Sequence, residues 1–160
     1  MSIPVYRLVK KKYASTAFSG EGAREYGGRW SSPGVPCVYL ASSESLALLE
    51  VLVHIESAAL LNSYTLFRLH LPSDQVKQHD LSRLPSDWRA PLSAGALSFG
   101  NAWLTQMKPE LILAIPSAVV HRESNFMLNP AHENFDELVA QAVELELNPD
   151  PRIVDMTRSK

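Results

Sequence analysis

Three side chains in the first third of the sequence have the types and spacing to bind and polarise a small anionic substrate. Arg29 lies in the Gly-Gly-Arg-Trp turn of residues 27–30, where glycines let the backbone approach a ligand closely. Its guanidinium can hold a phosphate or carboxylate with forked donors. Tyr39 follows in a short apolar segment, and Glu50 lies in a long apolar run. A lone carboxylate in such surroundings needs a partner or a function, so the set indicates a phosphate-bearing substrate.

Each of these residues also has a purely structural interpretation. Glu50 could point to water from a helix edge, Arg29 could stack on Trp30 at the surface, and Tyr39 could belong to the core. Residue types and spacing alone leave both interpretations open.

Further candidates lie elsewhere in the chain. Arg7 ends the first predicted strand and is a second anion-binding candidate. Ser117 follows an apolar strand, where it either caps a turn or bonds a substrate, and it lacks the Gly-x-Ser-x-Gly pattern of a hydrolase nucleophile. His54 comes one turn after Glu50, but no third ligand is near, so we expect no metal site. Turn chemistry accounts for Asn129 before its proline.

Composition excludes several classes of protein. The 160 residues are 46% hydrophobic and 20% charged, as expected for one compact domain over residues 1–160. The formal net charge of −2 argues against direct binding to nucleic acid or to a membrane surface. Cys37 is the only cysteine, so no intramolecular disulfide can form. With no apolar signal segment at the start, we expect a cytoplasmic protein.

Hydrophobic periodicity predicts the elements that must position these side chains. Strands are predicted at residues 4–9, 38–41, 64–71, 76–81 and 111–115, and helices at 43–57 and 97–108. Residues 19–36 are predicted to form a long ordered loop, and residues 134–147 fit either a helix or a strand. Strict βαβ alternation is missing, so we predict an α+β fold: a single domain with a mostly antiparallel sheet core and flanking helices.

Several motifs taken together resemble the RES-domain family, the toxins of RES–Xre toxin–antitoxin pairs. The resemblance spans about residues 6–152. It rests on Tyr6-Arg7, Gly27-Gly28-Arg29-Trp30, Pro33-Gly34-Val35-Pro36, Val38-Tyr39-Leu40-Ala41, Leu48-Leu49-Glu50, Ile115-Pro116-Ser117, Asn125 with Asn129-Pro130, and Asp150-Pro151-Arg152. The family is named for an Arg, a Glu and a Ser, which correspond here to Arg29, Glu50 and Ser117.

This resemblance implies an ADP-ribosyltransferase-like fold and NAD⁺ as the substrate, with no separate cofactor. It implies a toxin whose degradation of NAD⁺ arrests growth, a cognate Xre-type helix-turn-helix antitoxin that blocks the active site, and a homodimer in that complex. The residues then expected to be catalytic are Glu50, Arg29 and Tyr39. Those expected to bind NAD⁺ are Arg7, Arg29, Tyr39, Ser117 and Asn129.

The reaction predicted from these residues is cleavage of the bond between nicotinamide and ribose, with water as acceptor. Glu50 would stabilise an oxocarbenium-like transition state, Tyr39 would stack on the nicotinamide, and Arg29 with Arg7 would neutralise the pyrophosphate. One alternative is a mono-ADP-ribosyltransferase that modifies a specific protein. A second is a non-catalytic module that binds a nucleotide or a partner, which the apolar setting of Glu50 disfavours.

Overall fold

The computed structural model describes residues 1–156, and a seven-stranded sheet runs through this part of the chain. The strands are β1 (Ser2–Lys10), β2 (Val38–Ala41), β3 (Tyr64–Pro72), β4 (Val76–Gln78), β5 (Ile112–Pro116), β6 (Ser124–Leu128) and β7 (Val143–Leu145). The α-helices are α1 (Glu21–Tyr26), α2 (Glu44–Leu52), α3 (Ala94–Leu104), α4 (Phe135–Val139) and α5 (Pro151–Val154). Short 3₁₀ helices form at Lys11–Thr16, Ala58–Ser63, Ser73–Gln75 and Leu81–Arg83.

The strands lie in the order β4-β5-β6-β2-β1-β3-β7. Strands β4 and β5 are parallel, and the other neighbouring pairs are antiparallel. The predicted α+β class with a mostly antiparallel sheet is therefore confirmed. Among residues 1–156, no helix has the length and apolar character to cross a bilayer.

The two faces of the sheet are packed differently, because successive strand residues point to opposite sides. One face carries a single cluster that joins the sheet to α4, with Val38, Leu40, Ile112, Leu128 and Phe135 among its members. The opposite face carries two clusters. One surrounds Trp30 and α3, and the other surrounds α2 and the start of β3. Each fully buried aliphatic side chain contributes about 1.5–3 kcal/mol, so this division of the core holds α2 and α3 apart on one side.

Helix α2 begins where the sequence predicts and ends earlier. The Ser43 hydroxyl accepts a hydrogen bond from the Leu46 N–H at 3.0 Å, as an N-cap does. The helix ends at Leu52 rather than near residue 57, because β-branched residues follow. The Ser57 hydroxyl then accepts from the Ala59 N–H and begins a 3₁₀ helix.

The strand predicted over 76–81 ends at Gln78, and the helix predicted over 97–108 runs from Ala94 to Leu104. Two other predicted segments differ in the kind of element that they form. The loop predicted over 19–36 contains helix α1, which lies between Gly20 at φ 77° and Gly27 at φ 74° and holds an Arg24–Glu21 ion pair at 2.6 Å. Residues 134–147 are neither one helix nor one strand: α4 is followed by the short strand β7. In both places a run of only a few residues changes state, and periodicity over so few residues is ambiguous.

The pairing of β1 with β2 is short. These strands pair at Tyr6 and Ala41 alone, whereas β1 pairs with β3 from Ser2 to Lys10. The ladder between β1 and β2 thus stops on both sides of one residue pair, and this is where the sheet opens to form a cavity.

Candidate active site

A cavity of about 660 Å³ lies between the α2 cluster and the α3 cluster. Its lining comes from β1, β2, α2, β5, β6 and the turn at 27–30. Four residues predicted from the sequence line it together: Arg7, Arg29, Tyr39 and Glu50. The volume falls within the range of small-molecule sites.

The Glu50 carboxylate is held by two donors that come from distant parts of the chain. Its Oε1 accepts from the Ser117 hydroxyl at 2.7 Å and from the Asn125 Nδ2 at 2.6 Å. Its Oε2 has no hydrogen-bond partner among residues 1–156. Glu50 is thus paired and lines the cavity, as the functional interpretation requires. The nearby Leu49 and Val53 are 40% and 45% exposed, so the apolar surroundings of Glu50 are only partial.

Ser117 is fully buried and is oriented by the backbone. Its oxygen accepts from the N–H groups of Val119 and Val120, at 3.1 and 3.0 Å. A hydroxyl has one proton and two lone pairs, so with both lone pairs occupied the proton is directed to Glu50. Ser117 reaches the cavity through that carboxylate, since it does not itself line the cavity wall.

Arg29 joins the cavity to the loop that precedes α3. Its Nη1 donates to the carbonyl oxygens of Trp88 and Ala90, at 3.0 and 2.6 Å. Trp30 is buried and stacks with Trp88 at 6.0 Å and 26° between ring planes, so the surface Arg29–Trp30 stack is not what forms. Arg29 makes no ion pair within residues 1–156, and its Nε and Nη2 have no hydrogen-bond partner there.

Arg7 is held between two backbone carbonyls. Its Nε donates to Ala17 at 2.7 Å and its Nη1 to Tyr39 at 2.9 Å. Because the β1–β2 ladder is interrupted next to Tyr39, no β1 backbone N–H is paired with the Tyr39 carbonyl in that ladder, and the Arg7 side chain donates to it instead. Burial lowers the pKa of Arg7 to about 10, and no carboxylate in the described chain pairs with it. A desolvated cation without a counter-ion, on a cavity wall, is suited to bind an anion.

Tyr39 is held by its hydroxyl and by close backbone packing. Its hydroxyl lies 2.7 Å from the Ser31 Oγ, and Gly28 lies directly against the ring. Burial is the main cause that raises the pKa of Tyr39, so the phenol is neutral at physiological pH. Burial also raises the pKa of the neighbouring Cys37 to about 12, which leaves that thiol protonated.

The structure does not bring Asn129 to the cavity. Its side chain is buried, donates to the Leu104 carbonyl at 3.2 Å and accepts from the Ala131 N–H at 3.0 Å. It therefore joins the end of α3 to the turn after β6, and it is not part of the cavity lining.

Asn125 is the cavity residue that the sequence interpretation missed. It lies on β6, a central strand that is not among the strands predicted from the sequence, and it pairs with Ile115 on β5 and Ala41 on β2. The apolar run 126–128 was the available signal. Assigned to a strand, that run would have placed Asn125 next to the end of β5.

The mouth of the cavity is lined by exposed side chains. Tyr26, Val53 and Leu92 are 77%, 45% and 94% exposed, and His54 also lines the cavity. Among residues 1–156, the site combines two arginines without acidic partners and one carboxylate fixed by hydrogen bonds. It can bind a phosphate-bearing ligand and stabilise positive charge that develops next to Glu50.

Comparisons with known proteins agree over nearly the whole chain. A protein-family model, the RES domain, matches residues 4–150. The chain is 40% identical over 151 residues to "Toxin Res" of Photorhabdus laumondii subsp. laumondii, which covers 94% of this chain and 96% of that protein. It is 36% identical over 150 residues to "Toxin Res" of Yersinia enterocolitica, with 93% and 98% covered. It is also 37% identical over 149 residues to the "Prs ADP-ribosylating toxin" of a Sphingobium species, with 90% and 91% covered.

Proposed function

The chain belongs to the RES-domain family, and from that premise we propose that it is a toxin that cleaves NAD⁺ between nicotinamide and ribose. Its relatives bear the name of toxins, and one is named for ADP-ribosylation, so an enzyme that uses NAD⁺ is the kind supported. We propose hydrolysis, with water as the acceptor, as its reaction. Loss of NAD⁺ would then arrest growth.

One observation carries this proposal: the Glu50 carboxylate, held by hydrogen bonds from Ser117 and Asn125, lines the same cavity as Arg7 and Arg29. Nicotinamide in NAD⁺ is already a cationic leaving group, so no general acid has to protonate it. The ribose passes through an oxocarbenium-like state, and a carboxylate with one oxygen fixed and the other free can stabilise that charge. Glu50 has this arrangement, because Ser117 and Asn125 donate to Oε1, and Oε2 has no hydrogen-bond partner in the described part of the chain.

The two arginines supply the charge that a pyrophosphate requires. Arg7 and Arg29 each donate hydrogen bonds to two backbone carbonyls, which fixes the planes of their guanidinium groups. The remaining N–H groups of each side chain can donate to phosphate oxygens. Neither is neutralised by a carboxylate of the described chain. The neutral ring of Tyr39, which lines the same cavity, is then available to stack on the nicotinamide.

A second candidate is transfer of ADP-ribose to a protein. It is favoured by the name of the Sphingobium relative and by the exposed apolar side chains Tyr26, Val53 and Leu92 around the cavity mouth. We keep hydrolysis first because the transition-state chemistry at Glu50 needs no second protein. A non-catalytic binding module is disfavoured, because binding the anionic phosphates of a nucleotide does not require a carboxylate in the same cavity.

Membership of this family of toxins implies that the chain has an antitoxin partner. We propose that this antitoxin is of the Xre helix-turn-helix type, that it covers the cavity, and that the toxin is a homodimer in the complex.

Incubation of the purified protein with NAD⁺ labelled in the adenylate portion separates the two reactions. Hydrolysis predicts free ADP-ribose with no other protein present, whereas transfer predicts label on an added polypeptide. The control is Glu50→Ala, in which we expect nicotinamide release to fall about 10²- to 10⁴-fold. Equal nicotinamide release by wild type and Glu50→Ala would contradict the catalytic role of the carboxylate.

A further inference from the structure

Asn125 uses its side chain in an unusual way. Its Nδ2 donates to Glu50 Oε1 at 2.6 Å, while its own Oδ1 is buried and has no hydrogen-bond partner in the described chain. A buried acceptor without a donor is unfavourable, and native structures contain few of them. The amide cannot be turned over to relieve this, because its oxygen would then face the oxygen of a carboxylate. The orientation of Asn125 is therefore dictated by Glu50 and not by the needs of Asn125.

A role in folding alone does not account for this arrangement. The backbone of Asn125 is paired on both sides, with Ile115 on β5 and Ala41 on β2, so the pairing of β6 does not depend on an amide side chain at this position. An apolar side chain here would avoid the unpartnered oxygen. What the asparagine adds is a second donor on the same carboxylate oxygen that Ser117 already holds.

The two donors together determine which oxygen of Glu50 is free. A single bond from Ser117, which follows β5, leaves the carboxylate able to rotate about that contact. A second bond from Asn125 on β6, 75 residues from Glu50 in the sequence, removes this freedom. We propose that Asn125 is a positioning residue for the reaction: it locks Glu50 so that Oε2 is presented to the substrate. This inference rests on the proposed cleavage of NAD⁺, and Asn125 acts through Glu50 rather than on the reacting atoms.

A double-mutant cycle on nicotinamide release tests this role, because both hydrolysis and transfer release nicotinamide. We expect Asn125→Ala to lower kcat about 10- to 100-fold, the scale of a misplaced catalytic group, with little change in KM. In a Glu50→Ala background there is no carboxylate to position, so the same change should alter kcat by less than about threefold. Equal losses in both backgrounds would overturn the proposal.

Asn125→Asp provides a second readout that a purely structural residue would not affect. At acidic pH the new carboxyl group shares a proton with Glu50 and still donates to it, whereas at higher pH two carboxylates repel each other. The other titratable groups lining the cavity are Tyr6, Arg7, Tyr26, Arg29, Tyr39 and His54, and they are the same in wild type and variant. We therefore expect the ratio of kcat at acidic pH to kcat at neutral pH to rise about tenfold relative to wild type. A variant with the wild-type pH profile would refute the positioning role.

These outcomes also separate this inference from the one it depends on. A wild-type protein that releases no nicotinamide overturns the proposed function itself. An active wild type whose Asn125 variants behave additively with Glu50→Ala overturns the role of Asn125 and leaves the proposed function standing. Asn129 follows β6 directly and does not line the cavity. Asn129→Ala, which removes this second asparagine side chain, is the matched control for loss of stability.

Discussion

Gly28 lies so close to the ring of Tyr39 that the substitution Gly28→Ala, which adds one methyl group, tests whether the reaction depends on the position of that ring. A Cβ atom at position 28 would lie 2.9 Å from the Tyr39 Cε2 and from its hydroxyl oxygen, whereas ordinary contact begins at 3.4 Å. Gly28 is not among the glycines with positive φ, so alanine fits the backbone and the change acts through this contact. The ring must therefore move by about 0.5 Å, the difference between those two distances.

The expected loss follows from that displacement. The Tyr39 hydroxyl oxygen is hydrogen-bonded to the Oγ of the buried Ser31 at 2.7 Å, so the ring cannot move without straining that hydrogen bond. A displacement of about 1 Å at a catalytic site costs about 10²-fold, so we expect Gly28→Ala to lower kcat/KM for NAD⁺ about tenfold. Overpacking of this kind should also lower the free energy of unfolding by about 1–3 kcal/mol.

Gly22→Ala is the matched control, because no atom lies within 4 Å of a Cβ at that position of α1. It should leave kcat/KM unchanged and leave stability equal or up to about 1 kcal/mol higher. The assay is steady-state nicotinamide release over a range of NAD⁺ concentrations, with thermal unfolding followed by circular dichroism. If Gly28→Ala has the same kcat/KM as Gly22→Ala, the position of the Tyr39 ring is not required and the stacking role is wrong.

Three further outcomes follow from the same contacts. Ser117→Ala removes the donor to Glu50 and the acceptor of two backbone N–H groups. The kcat should therefore fall about 10- to 100-fold, and the free energy of unfolding should fall by about 1–3 kcal/mol. Full kcat in a destabilised variant would contradict the role given to this hydroxyl. Asn129→Ala should lower the melting temperature, by the loss of two buried hydrogen bonds, without changing KM for NAD⁺; a raised KM would return Asn129 to the substrate site. Burial raises the pKa of Cys37 from 9.0 to about 12, so between these values the unfolded chain loses a proton that the folded chain keeps. The free energy of unfolding should then fall with rising pH by up to about 1.4 kcal/mol per unit more steeply than in Cys37→Ala, as measured by urea denaturation; parallel pH curves would refute this.

Local signals in the chain predict four of the elements around the site, β1, β2, α2 and β5, but not β6. Strand β2 is bounded by the Pro/Gly segment before it and the serines after it, and Ser43 begins α2 because its side chain caps a nearby N–H. Such contacts lie within a few residues, so the sequence carries them directly. The Gly-Gly-Arg turn, Tyr39 and Glu50 also lie close together in the sequence, so their types and spacing predict a shared site. The catalytic roles assigned to them remain predictions.

What the sequence alone determined was the α+β class, the capped start of α2, the family resemblance and the short list of residues able to act on a dinucleotide. Only the tertiary structure decided which of them meet. The bonds from Ser117 and Asn125 to Glu50 join residues 67 and 75 positions apart, and they depend on β6 lying between β5 and β2. The same packing turned Asn129 away from the cavity and placed Arg7 on its wall. Periodicity reports which face of an element is apolar, but not which elements become neighbours, because that depends on how the whole core is filled.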